Sequence, residues 1–75
     1  MESGRIYEIV RKNVIFYRKK NGLTQEKFSE LLGVTHDFVR QVESKKVNKN
    51  FSLLNIEKAA SVLNVELYQF FIDRD

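Results

Sequence analysis

Between Leu23 and Glu43 the chain reads LTQEKFSELLGVTHDFVRQVE, and no other stretch limits the possible folds so tightly. Thr24 stands ahead of a periodic segment, where its hydroxyl can accept from the free N–H groups of an opening helical turn. Gln25 and Glu26 fill that turn, and Phe28, Leu31 and Leu32 recur at spacings of three and four, one stripe of a helix. Gly33 falls where the helix must stop and the chain must turn, a place for a residue that tolerates positive φ. Val34 follows as a buried plug. Thr35 can cap a second helix, 36–43, whose apolar positions are Phe38, Val39 and Val42. So short a connection cannot let the two helices run antiparallel along their length. They must cross steeply.

The stretch resembles the phage repressor and Cro class of helix-turn-helix regulators. The residues that carry the resemblance are Gly22-Leu23-Thr24-Gln25, Leu32-Gly33-Val34-Thr35, Val39 and Glu43. It extends from roughly Val14 to Phe71, through Ser52-Leu53 and Leu63-Asn64-Val65. The implied fold is an all-α bundle of five helices with a central helix-turn-helix at 24–43, whose second helix is presented to the DNA major groove. Three departures stand out. Ser29 occupies a position where the family usually has Ala, Asn64 one where it has Gly, and the loop after Glu43 is about two residues longer and lacks proline.

Seventy-five residues suit one domain, near the lower limit for a core without staples. With no cysteine, neither a disulfide framework nor a thiolate metal site is available. A hydrophobic content of 43% beside 31% charged residues is that of an ordinary globular chain rather than a disordered one. No apolar run approaches the roughly 20 residues of a membrane span, and MESGRIYEIVRKN carries charges where a signal peptide needs its apolar core. The expected compartment is the cytoplasm. Charge is uneven: residues 1–50 hold eleven Lys and Arg against six Asp and Glu, whereas 51–75 hold two against four. That asymmetry fits a polyanion-binding face with a non-binding opposite end.

Taken in order, Ser3 is a possible cap and Arg5 to about Asn21 reads as a first helix, with Ile6, Ile9, Val10, Val14 and Tyr17 on one stripe. Ile15 and Phe16 lie off it, either widening the core or forming an apolar patch. Arg11, Lys12, Arg18, Lys19 and Lys20 make this helix basic, and Asn21-Gly22 can end it. After Glu43, SKKVNKNF reads as an exposed loop with three Lys and no acid. Ser52 can cap a fourth helix, 53–63, with its stripe at Leu53, Ile56, Ala59, Ala60 and Leu63, and Asn64 can adopt the left-handed conformation that ends it. Glu66 to about Ile72 reads as a short fifth helix carrying more apolar groups than one face needs. Tyr68, Phe70, Phe71 and Ile72 are therefore the expected dimer contacts, with part of the fourth helix assisting.

Catalytic chemistry has little to work with here. One histidine, no cysteine, no paired carboxylates on one face and no glycine-rich phosphate loop argue against an enzyme, and His36 alone cannot build a metal site. No cofactor, membrane or small-molecule ligand is expected. Side chains near the start of a recognition helix and one turn on face base edges. The resemblance puts His36, Asp37 and Gln41 in that role, with Arg40 between base and backbone. Gln suits adenine and Arg suits guanine, whereas Asp37 is at least as well employed stabilising the helix dipole. Glu43 is expected to bond within the fold. Phosphate positioning falls to Gln25, Thr35, Ser44, Lys45, Lys46 and Lys49. The expected function is a sequence-specific regulator binding double-stranded DNA as a homodimer on a palindromic operator. The alternative is a protein-interaction module of the same fold, an antitoxin or anti-repressor.

Overall fold

The computed structural model describes residues 4–74, and side-chain caps start three of its helices. Helix α1 spans Arg5–Lys20, α2 Gln25–Leu32, α3 His36–Glu43 and α4 Leu53–Leu63; a 3-10 helix follows at Leu67–Phe71. Thr24 Oγ1 accepts from Lys27 N at 3.0 Å, Thr35 Oγ1 from Phe38 N at 3.0 Å and Ser52 Oγ from Asn55 N at 3.1 Å. Each such cap contributes about 1 kcal/mol. At the other ends, Gly33 closes α2 at φ 77° and Asn64 closes α4 at φ 56°, both left-handed. Asparagine tolerates that conformation, so the departure from Gly at position 64 leaves the stop intact. The cap expected at Ser3 lies outside the described residues; Gly4 precedes α1 with φ 96°.

The fifth element is not the expected α-helix but a tighter 3-10 turn. Gln69 Oε1 accepts from Glu66 N at 2.8 Å and locks its start. Beyond it, the Asn13 amide, buried in α1, donates to the carbonyls of Phe70 and Ile72 at 2.9 and 2.7 Å. Those carbonyls are taken by α1, and the chain continues extended at Ile72 rather than coiled. Arg74 then reaches back to the Asn13 side chain and the Tyr17 hydroxyl, and Arg5 pairs with Asp73. The C-terminal segment is thereby strapped along α1.

One core joins the elements. Val10, Val14 and Tyr17 of α1 meet Phe28 and Leu32 of α2, Val39 and Val42 of α3, Ile56, Ala59, Ala60 and Leu63 of α4, and Phe70. Full burial of one such side chain stabilises by roughly 1.5–3 kcal/mol. Five residues depart from expectation. Phe51, expected in an exposed loop, is buried edge-on against the rings of Phe38 and Phe28, at 5.8 and 6.5 Å between centroids. Leu53, expected in the α4 stripe, is 82% exposed, because the cap turn points it outward. Ile6 and Leu31 also stand largely outside the core. Phe70 is completely buried within its own chain, so it cannot serve a dimer surface. Ser29 is buried, but its hydroxyl donates to Glu26 O at 2.6 Å, so its polar group is satisfied.

Candidate nucleic-acid interface

Helix α3 has two faces of opposite character. Val39 and Val42 are buried and Phe38 is half-buried, while His36, Asp37 and Arg40 are exposed and Gln41 is partly so. The outward set is joined by one carboxylate. Asp37 accepts from Arg40 Nε at 3.1 Å and from Gln41 Nε2 at 3.0 Å. These partners lie one turn further along, at the spacings where helical side chains meet. Arg40 and Gln41 are thus held side by side with their remaining donors and acceptors free. His36 stands at the head of the same helix, and its side chain makes no hydrogen bond among the described residues.

A second carboxylate fixes where α3 sits. Glu43 receives Arg18 Nε and Nη2 in a two-pronged pair at 2.7 and 2.8 Å, and Gln25 Nε2 at 2.9 Å. The Arg18 and Glu43 side chains are only 9% and 5% exposed. The third arm of Arg18 donates to Leu23 O at 2.7 Å, in the turn between α1 and α2. One network therefore binds the end of α1, the start of α2 and the end of α3. Its effect is to bring the α2 N-terminus, Gln25 included, beside the loop that follows α3. The amide nitrogen of Gln25 is committed to Glu43 and its amide oxygen is not.

Ser44 opens that loop, and its hydroxyl oxygen accepts from Lys46 N at 3.2 Å. Lys45, Lys46 and Lys49 follow, all exposed. Thr35 uses its hydroxyl oxygen as the α3 cap and keeps its proton for another acceptor. Every residue expected to touch DNA except the half-buried Gln25, Gln41 and Ser44 is fully at the surface. Two features escaped sequence reasoning. Arg18 counts with the other cations of a basic helix when read locally, yet it is buried and neutralised. The bracket made by Asp37 also escapes a local reading, although its two partners at i+3 and i+4 are the available signal.

Among the described residues there is no group of three or more His, Cys, Asp or Glu placed to hold a metal ion. No helix among them is long and apolar enough to cross a membrane.

The helix-turn-helix family model matches residues 15–70. The chain belongs to this family. Its fold is that of the phage repressor and Cro type. A hypothetical transcription factor, NHTF, from Neisseria superposes with a TM-score of 0.79 at 30% identity, over 92% of this chain and 75% of that one. The restriction-modification controller protein C.AhdI from Aeromonas hydrophila gives 0.75 at 31% identity, over 87% and 96%. SinR, the master regulator for biofilm formation, in complex with DNA, gives 0.72 at 24% identity, over 84% and 98%, a likeness of fold. No curated protein matches the chain. The family match begins at residue 15, leaving the first turns of α1 outside it.

Proposed function

We propose that the protein is a sequence-specific regulator of transcription that binds double-stranded DNA with α3 in the major groove, as a cytoplasmic homodimer on a palindromic operator. The observation that carries this reading is the outward face of α3. His36, Asp37 and Arg40 stand exposed, and Gln41 partly so, on a helix whose other face is locked into the core. Gln41 suits adenine and Arg40 suits guanine through paired hydrogen bonds. Gln25, Thr35, Ser44, Lys45, Lys46 and Lys49 flank that face as donors to phosphates, fixing register without reading sequence. SinR, which shares the fold, is itself in complex with DNA. The whole chain acts as one helix-turn-helix domain.

Selection of bound sites from a random duplex pool tests the reading. It should return an inverted repeat with half-sites about one helical turn apart. Affinity should fall steeply with salt, by a slope of about −0.9 per phosphate neutralised. A flat salt response with no enriched sequence would remove the DNA reading.

The twin chain is expected to dock at Tyr68, Phe71 and Ile72, each at least 40% exposed. Phe71 also lines an apolar groove of about 420 Å³ with Ile6, Tyr7 and Leu53, all largely exposed. That surplus also suits a protein partner of another kind, and self-association accounts for it equally. Two half-sites roughly double the contact energy that one small module can supply. Sedimentation should find a dimer for the wild type and a monomer for Phe71→Asp. A wild-type monomer at high micromolar concentration, on or off DNA, overturns the dimer.

A further inference from the structure

Arg11 lies seven residues before Arg18, two helical turns away on the same face of α1. The two arginines have opposite fates. Arg18 is buried and neutralised by Glu43. Arg11 is half-buried and has no hydrogen-bond or ion-pair partner among the described residues. The loop after α3 comes back against it. Arg11 lines one concavity of about 220 Å³ with Lys45, Lys12 and Glu8, and a neighbouring one of about 310 Å³ with Lys45, Lys46, Asn48 and Lys49. Glu8 is the one acid in either, and it is engaged by Arg5 and Lys12 at 3.4 and 3.5 Å. From Ser44 to Ile56 the chain has no acid at all.

We infer that Arg11 forms a phosphate clamp with Lys45 and Lys46, so that α1 grips the DNA backbone beside the contacts of the α3 loop. The inference rests on the DNA-binding reading and extends its footprint. The guanidinium fork meets two oxygens of one phosphate, and the lysines supply charge from the other wall. Cations facing one another across a concavity repel, and an anion seated between them relieves that repulsion. A DNA phosphate is the source to which the site commits, because the same loop follows directly on the helix that faces the groove.

The test titrates wild type, Arg11→Gln, Arg11→Lys and Lys46→Ala with a random-sequence duplex of about 20 bp and with the best selected site, over a range of salt. Circular dichroism and sedimentation check fold and assembly of each variant. Arg11→Gln should weaken both duplexes by the same factor, about tenfold, and lower the salt slope by about one. Arg11→Lys should keep the slope and recover only part of the affinity. If wild type and Lys46→Ala differ in the expected way but Arg11→Gln matches wild type, the clamp is wrong and the DNA reading stands. If Arg11→Gln weakens only the selected site, or dissociates the dimer, Arg11 belongs to base reading or to the twin contact and the clamp is overturned. If wild type binds no duplex, both readings fall together.

Discussion

Asp37 and Glu43 sit six residues apart on α3, and each carboxylate holds one arginine and one glutamine. The chemistry is the same and the consequences are opposite. Glu43 draws its partners from other elements, 25 and 18 residues away, and the Arg18 pair is nearly free of solvent. Asp37 draws its partners from its own helix, and the Asp37 and Arg40 side chains are 62% and 58% exposed. Inside, an ion pair ties elements together because neither partner has water to fall back on. Outside, water competes for every bond, so the bracket arranges side chains while binding them only weakly. One helix thus carries a buried anchor at one end and an exposed bracket at the other.

The largest expected effect tests the anchor. Glu43→Ala strands the Arg18 guanidinium with Leu23 O as its remaining partner, and breaking a buried pair costs about 3–5 kcal/mol. A chain of this length has roughly 4–11 kcal/mol of total stability. The loss should appear in a thermal melt as a fall of at least about 12 °C. Arg18→Met with Glu43→Leu should recover most of it, since no unpaired charge then remains inside. A cost below about 1 kcal/mol for Glu43→Ala would place this pair with surface bridges and erase the contrast.

The same distinction explains what could be read from the sequence. Thr24, Gly33, Thr35, Ser52 and Asn64 were legible because a cap needs only the next few residues, and all five behave as their chemistry dictates. The bounds of α3 and α4 followed from them. Arg18 was not legible, since a cation in a run of cations looks solvated until its distant partner is known. Phe51 was missed for a related reason: one aromatic in a lysine-rich loop has no period, and only the rings of Phe28 and Phe38 give it a place. Asn13 shows the same limit, because the carbonyls it holds are 57 and 59 residues away. The exposed face of α3 was legible in position but not in its internal bonding.

Gln41 should show the reverse profile to Glu43. Gln41→Ala removes an outward side chain with one local bond, so stability should stay within about 0.5 kcal/mol of wild type. Affinity for the selected operator should fall by about 1–3 kcal/mol, with preference relaxed at one base pair. Lys46→Ala should weaken cognate and random duplexes alike, because a phosphate contact carries no sequence information. Should Gln41→Ala weaken all sequences equally, its role lies with the backbone, and base reading passes to His36 and Arg40.

The smallest effect is the sharpest probe of the bracket itself. Asp37 and Arg40 form an exposed pair at i and i+3, worth about 0.3–0.5 kcal/mol in stability. A double-mutant cycle with Asp37→Ala and Arg40→Ala should return a coupling of that size, which added salt removes. The DNA side of the same cycle should move the other way. Asp37 brings negative charge to the surface proposed to face DNA, so Asp37→Ala should raise affinity for random duplex while narrowing the margin between operator and random sequence. The first change follows from lost repulsion. The second follows because Arg40 and Gln41 must then be ordered by the DNA alone, at an entropic cost of about 0.5–1.5 kcal/mol for each side chain. A coupling above about 2 kcal/mol that survives salt would mean that the outer carboxylate anchors structure as the inner one does. An unchanged operator margin would mean that Arg40 and Gln41 are oriented without it, leaving Asp37 to its place at the positive end of the helix dipole.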